Sequence, residues 1–222
     1  MQRELIITED GSHTIYLPEI DEHYHSVHGA IHESVHIYIG QGLLQCSSNP
    51  ISILEIGFGT GLNAFLTFCY AQKQNLKINY FSLEKFPLNE KEYLNLNYPE
   101  AVFPENKGVF KQLHRVEWNE PVTISPFFTL QKAEVDLLDF DFSNHAPFDL
   151  VYYDAFAPNK QPEMWTDDIL HKVAANVKKD GILVTYCAKG TVRRALTAAG
   201  FEMERFPGPA GKKEILRGKK TN

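Results

Sequence analysis

The sequence predicts an α/β fold: a mostly parallel, doubly wound sheet with helices on both faces, ending in an antiparallel hairpin. Three observations carry this. Short apolar runs alternate with helical stretches through the middle of the chain, one run stops at three alternating glycines that lead into an apolar helix, and the C-terminal end holds two strand-like runs around a tight turn. With 222 residues, 43% hydrophobic and 23% charged, the chain has the balance of a globular protein and the length to bury a core without disulfides.

Residues 4 to 17 alternate apolar and polar side chains around Asp10-Gly11, which predicts a small β-hairpin. From Gly29 to Leu44, apolar Ile31, Val35, Ile39 and Leu43 recur at four-residue spacing, a helix that ends near Gly40 or Gly42. Ile51 to Ile56 reads as a buried strand, Gly57-Phe58-Gly59-Thr60-Gly61 as the turn that ends it, and Leu62 to Ala71 as the helix that follows. Further strands are expected at Ile78–Glu84, Phe148–Asp154 and Gly181–Cys187, with helices over about 88–97, 163–177 and 190–199. Residues 98–132, rich in proline and aromatics, show no pattern that assigns an element. Phe201 to Phe206 and Glu214 to Leu216 flank Pro207-Gly208-Pro209-Ala210-Gly211 and must pair antiparallel, since so short a loop cannot cross over. The expected organisation is an N-terminal hairpin with a covering helix over residues 1–45 and a main domain over 46–222.

Composition excludes several classes. Cys46, Cys69 and Cys187 are odd in number, far apart and set among apolar neighbours, which fits buried small hydrophobes in a reducing compartment. Met1 to Asp10 lacks the apolar region of a signal peptide, and no apolar run approaches the ~18 residues of a bilayer span, so a cytoplasmic protein without a membrane partner is expected. The net charge of −6 hides a polarity: residues 1–187 hold 13 basic and 25 acidic side chains, whereas residues 188–222 hold 9 basic and 3 acidic. Such a basic segment on an acidic body can meet phosphates locally, or can simply be a solvated surface. His32-Glu33-Ser34-Val35-His36 matches a zinc-protease pattern, with His28 a turn earlier, but no clear third ligand follows and no metal is expected.

Glycines at 57, 59 and 61 after a buried strand let a ligand approach the backbone and the helix start. A dinucleotide fingerprint would need glycine where Leu62 stands, and Glu55 suits a ligand with positive charge better than one with phosphates. Glu84 closes the second strand of the main sheet, where a carboxylate can accept both hydroxyls of a ribose.

Together these features resemble the class I S-adenosylmethionine-dependent methyltransferases, a Rossmann-like family. The stretch Asp154-Ala155-Phe156-Ala157-Pro158-Asn159-Lys160-Gln161-Pro162-Glu163-Met164-Trp165 is similar to a signature of the methyltransferase domain of the MnmC family. Further matching blocks are Tyr24-His25-Ser26 with Gly29-Ala30 and Glu33-Ser34, Glu55 to Asn63, Ser82 to Leu88, and Val192-Arg193-Arg194 with Ala199-Gly200-Phe201. The resemblance implies N-methylation of the 5-aminomethyl group of the wobble uridine or 2-thiouridine of transfer RNA. It implies S-adenosylmethionine as cofactor, held by Tyr24, Ser26, Glu55, Gly57, Phe58, Gly59, Gly61, Asn63, Glu84, Lys85 and Asp136, with Asp139 as the competitor for the adenine contact. It also implies that this is the stand-alone form, without the flavin (FAD) oxidase domain of bifunctional members, so that a separate enzyme supplies the amine.

Asp154, at the end of a strand, can accept an amine N–H and orient or deprotonate the amine; as a bland alternative it only shapes a turn. Phe156, Pro158 and Trp165 are candidates to receive the base, although core packing explains Trp165 equally well. Lys160, Lys189, Arg193, Arg194, Lys212 and Lys213 are candidates for the phosphates of the anticodon stem-loop. Two rival readings remain open: an aminopropyltransferase of the polyamine synthase type, and a non-catalytic RNA-binding module on the same fold.

Overall fold

The computed structural model describes residues 2–221; Met1 and Asn222, the outer limits of the two expected segments, lie outside the described residues. The chain opens with β1 (Glu4–Ile7), β2 (His13–Leu17) and the two-residue β3 (Glu22–His23), an antiparallel three-stranded sheet where the sequence suggested only a hairpin. Helix α1 (Ala30–Ser34) runs directly into a six-residue π-helix, Val35–Gly40, so the helix expected from Gly29 widens after its first turns.

The main sheet is built from β4 (Ile51–Ile56), β5 (Ile78–Glu84), β6 (Val122–Ser125), β7 (Phe128–Glu134), β8 (Phe148–Tyr153), β9 (Val177–Thr185), β10 (Phe201–Pro207) and β11 (Glu214–Lys220), in the order β10-β11-β9-β8-β4-β5-β7-β6. Five central strands run parallel, and β10, β11 and β6 are antiparallel at the two edges. Between the strands lie α2 (Leu62–Gln74), α3 (Glu90–Leu94), α4 (Tyr98–Val102), α5 (Lys107–Arg115), α6 (Asp167–Ala174) and α7 (Gly190–Ala198).

Alternation along the strands divides the core. Ile53, Tyr80, Leu150 and Tyr152 pack with Ile37, Phe65 and Phe68 on one face, while Leu54, Phe81, Val151 and Tyr153 pack with Leu170 and Leu196 on the other. Each of these side chains is fully or almost fully buried, contributing roughly 1.5–3 kcal/mol apiece for the aliphatic ones. The strand expected at 181–187 starts at Val177 instead, and the helix expected to 177 stops at Ala174. The reason is local: Asp180 has a positive φ of 63°, and the β8–β9 register shifts between Phe148 and Leu150, an irregularity that hides the strand's start from a periodicity reading.

The chain leaves β4 towards β5 and β7, then returns to place β8 on the other side of β4. A crevice opens at such a switch point, over the C-terminal ends of the strands.

Candidate active site

The site begins where β4 and β8 end. Gly57, Gly59 and Gly61 all have positive φ (92°, 50° and 73°), a backbone that side chains rarely adopt. A Cβ on Gly59 would stand 2.9 Å from the Tyr24 ring, so the glycine is also required by space. Thr60 is pinned from both sides: His25 Nε2 meets its hydroxyl at 2.7 Å, and His114 Nε2 its carbonyl at 3.1 Å. Burial pushes His25 down to about 4 and His114 down to about 3, so both imidazoles are neutral, and His114 donates from Nε2. Lys132, buried on β7, caps the His114 carbonyl at 2.7 Å and lies 5.2 Å from the centre of the Phe58 ring.

One cleft runs from this loop across the sheet edge. Tyr24, Gly57, Phe58, Gly59, Asn63, Glu84, Lys85, Asp136, Asp154 and Phe156, ten of the predicted positions, line it together. Glu84 accepts the Gly59 N–H at 2.8 Å and the Phe86 N–H at 2.7 Å, one on each oxygen, which leaves lone pairs facing the cleft. Asp136 accepts Lys85 at 2.7 Å and the Leu138 N–H at 3.0 Å, whereas Asp139 is exposed and outside the cleft wall.

Asp154 follows β8 directly. The Tyr38 hydroxyl donates to its Oδ1 at 2.5 Å and Asn63 Nδ2 to its Oδ2 at 2.9 Å. Burial pushes its carboxyl up to about 7, against these two hydrogen bonds. A second cavity adjoins the first and shares with it Tyr24, His25, Asp154, Ala155 and Phe156. Its remaining wall includes Ser26, Glu33, Tyr186 and Lys212. Phe156 meets Tyr24 edge to face at 5.1 Å between ring centres on this shared wall.

Several predicted positions are placed elsewhere. Glu55 is 0% exposed beneath the glycine loop and lines neither cavity, because it alternates onto the Ile53 face of β4. Gly61 turns towards His114, and Ser26 belongs to the second cavity. Trp165 is core: it is buried, its indole N–H donates to the Phe156 carbonyl at 2.7 Å, and it holds the loop after Asp154 instead of offering a face to a base. Lys212 pairs with the buried Glu33 at 2.9 Å and Lys160 with Asp21 at 3.3 Å, so neither is a free surface cation. Pro158, Arg193, Arg194 and Lys213 line neither cavity; Arg194 and Lys213 are exposed. His32 and His36 diverge, His36 to the Pro207 carbonyl and His32 towards Asp10, and among the described residues no metal-ligating cluster forms. Tyr38, His114 and Lys132 went unread; only their tertiary partners reveal them.

The cleft suits a ligand with a ribose and no phosphate: an open glycine cradle, a strand-end carboxylate with free lone pairs, and a wall without a free cation beyond Lys85, which Asp136 holds. Comparisons with known proteins agree. A sequence model described as S-adenosyl-L-methionine-dependent methyltransferase matches residues 97–221. The chain is 34% identical over 218 residues to the tRNA 5-methylaminomethyl-2-thiouridine biosynthesis bifunctional protein MnmC of Leptospira borgpetersenii, covering 91% of this chain and 33% of that protein. It thus spans about a third of the length of such relatives. The crystal structure of MNMC2 from Aquifex aeolicus superposes with a TM-score of 0.80 at 27% identity, covering 98% of this chain and 70% of that one. Spermidine synthase from Thermotoga maritima shares the fold alone, with a TM-score of 0.56 at 9% identity over 99% of this chain and 72% of that one. The resemblance read from the Asp154 to Trp165 stretch is borne out, and the chain belongs to the S-adenosyl-L-methionine-dependent methyltransferase family.

Proposed function

We propose that this methyltransferase acts on the 5-aminomethyl group of the wobble uridine or 2-thiouridine of transfer RNA, giving the methylaminomethyl nucleoside. The observation that carries the reading is the position of Asp154 on the wall shared by two cavities. One cavity has the features that suit the cofactor, and the other has aromatic walls, Tyr24, Phe156 and Tyr186, that suit a single base taken out of its stack. The MnmC relatives, whose name refers to this nucleoside, support the choice of acceptor.

In this reading S-adenosylmethionine, when bound, supplies a methyl group on a sulfonium. Glu84 accepts the ribose hydroxyls, Asp136 or its partner Lys85 borders the adenine, and the glycine loop receives the rest. Asp154 takes up an N–H of the incoming amine. An alkyl ammonium has a pKa near ~10 and carries no lone pair to donate until it loses a proton. A carboxyl raised to about 7 is a far better acceptor for that proton at neutral pH than an ordinary aspartate. Tyr38 and Asn63 keep both oxygens aimed while the amine is held in line. Residues 1–45 act as a cap on residues 46–222, since Tyr24 and Tyr38 come from the first segment and Asp154 from the second. The anticodon stem-loop lies against the basic α7 and β10–β11 side, and a tRNA substrate implies a cytoplasmic enzyme.

The test is methyl transfer from labelled S-adenosylmethionine to tRNA carrying unmethylated aminomethyluridine, read by nucleoside mass analysis. Asp154→Asn should lower turnover by about 10²–10⁴-fold with cofactor affinity nearly unchanged. Turnover that survives in this variant would remove Asp154 from its role. Transfer of an aminopropyl group from the decarboxylated cofactor would instead favour the polyamine synthase reading.

A further inference from the structure

The second cavity holds a pair of opposite charges for which the methyl transfer itself has no use. Glu33, on α1, is buried, and its two oxygens are divided: Lys212 pairs with Oε1 at 2.9 Å and the Ser26 N–H donates to Oε2 at 2.8 Å. The turn between β10 and β11 brings the lysine there. Gly211, at a φ of 82°, lies so close to the His28 ring that a Cβ would overlap it, and the Lys212 ammonium rests 5.0 Å from the centre of the Tyr186 ring. Glu33 and Lys212 both line the cavity. After burial, which dominates, Glu33 raises and Lys212 lowers the Asp154 carboxyl, so the pair stands near the group proposed to take up the amine.

Neither member is used up by its contacts. A carboxylate offers about four lone-pair sites and an ammonium three N–H groups, so Glu33 keeps acceptor capacity and Lys212 keeps donors for a ligand in the cavity. Other polar groups on the wall are engaged: the Tyr186 hydroxyl donates to the Ala155 carbonyl at 2.8 Å, and His25 Nε2 meets the Thr60 hydroxyl at 2.7 Å. The pair therefore presents an acceptor beside a donor, with no net charge. A phosphate would meet the Glu33 carboxylate and a second cation the Lys212 ammonium, whereas a neutral edge with its own donor beside an acceptor satisfies both.

The base of the proposed acceptor has such an edge, and a base taken out of its stack exposes it. In uracil and 2-thiouracil, N3–H stands beside the O4 carbonyl; in cytosine, N3 is a bare lone pair beside an amino group. We propose that Glu33 and Lys212 select the base, Glu33 accepting N3–H and Lys212 donating to O4. With the arm on C5 anchored at Asp154, a cytosine cannot slide to exchange these partners. It would set its N3 lone pair against a buried carboxylate and its amino group against an ammonium, leaving all four groups unsatisfied.

This inference rests on the acceptor proposed above, and its test separates the two. The full chain is given S-adenosylmethionine and anticodon stem-loops that differ only in the wobble base, 5-aminomethyluridine or 5-aminomethylcytidine. Wild type should prefer the uridine by about 10²-fold or more in kcat/KM. Glu33→Gln keeps an acceptor for N3–H and adds an amide N–H for the cytosine N3, so that preference should fall about tenfold or more, chiefly by a gain for the cytidine. Lys212→Met should lower kcat/KM for the uridine roughly 10–100-fold and leave the cytidine within about threefold. A purely structural ion pair would instead lower both acceptors by one factor, and a preference unmoved by the two variants would overturn the proposal. Equal use of both bases by wild type would also overturn it while the reading of the amine stood. If neither base were methylated, the proposed acceptor would fail and the selection of uracil with it.

Discussion

At the scale of single residues, the carboxyl proposed to take up the amine, Asp154, depends on a neighbour that no motif contains. The Tyr38 hydroxyl comes to within 2.5 Å of Asp154 Oδ1 and holds that carboxyl below where burial alone would put it. Hydrogen bonds to charged groups contribute about 1.5–3 kcal/mol. Tyr38→Phe should therefore lower turnover roughly 10–100-fold. It should also move the acid limb of the pH–rate profile upward, because a carboxyl that loses a donor ionises at higher pH. A profile that stays in place would reduce Tyr38 to a packing residue. Asp154 itself was legible, since an apolar strand run ends on it and Phe-Ala-Pro follows. Tyr38 was not, because a four-residue spacing of Ile31, Val35, Ile39 and Leu43 marks the buried stripe and says nothing about which hydroxyl meets a residue 116 positions away. His114 was hidden for a different reason: it lies on the nine-residue α5 behind the breaks at Pro99 and Pro104, and no spacing within that helix says that its ring meets the Thr60 carbonyl, 54 positions away.

At the scale of elements, two devices aim these groups. The π-helix Val35–Gly40 gives the Tyr38 segment an extra residue per turn, a geometry that recurs near functional sites. The second device is the turn between β10 and β11, where Lys212 reaches back to Glu33 of α1 at 2.9 Å, while the Ser26 N–H holds the other Glu33 oxygen at 2.8 Å. The C-terminal hairpin, the residues after β3 and the first helix are thus tied at one buried carboxylate beside the second cavity. Lys212→Met would leave Glu33 buried with half its partners. We expect a loss of about 1–2 kcal/mol, seen as a Tm lower by roughly 2–8 °C, given that the lysine is partly exposed. Because Lys212 lines only the second cavity, the acceptor KM should rise while cofactor Kd holds. A change in cofactor affinity instead would mean that the loss of Lys212 reaches the first cavity through the wall the two share. Sequence alone read the hairpin correctly and its lysine as a phosphate contact; the ion pair depends on α1 lying against the far end of the chain.

At the scale of the whole molecule, charge decides how an acidic protein can hold a polyanion. Residues 188–222 carry 9 basic side chains against 3 acidic, and the rest of the chain 13 against 25. Part of this excess is engaged in ion pairs: Lys212 with the buried Glu33, and, at the surface, Arg205 with Glu214, Arg217 with Glu204 and Lys219 with Asp180. Lys189, Arg194 and Lys213 are exposed; Lys189 stands at the start of α7, the helix that follows β9 at the site's edge of the sheet, and Arg194 midway along it. Among the described residues these three are the exposed cations of this segment that form no ion pair, and they are fewer than the sequence count suggests. Each phosphate contact contributes roughly 0.7–0.9 to the slope of log affinity against log salt. Binding of the proposed tRNA should therefore show a shallow slope, on the order of −2 to −3, instead of the steep dependence of a strongly basic protein. Replacing Lys189, Arg194 and Lys213 together by alanine should flatten most of that slope, with methyl transfer at saturating tRNA largely kept. A slope unmoved by the triple substitution would place the RNA on another face, and the polarity of the sequence would then be only a property of the surface.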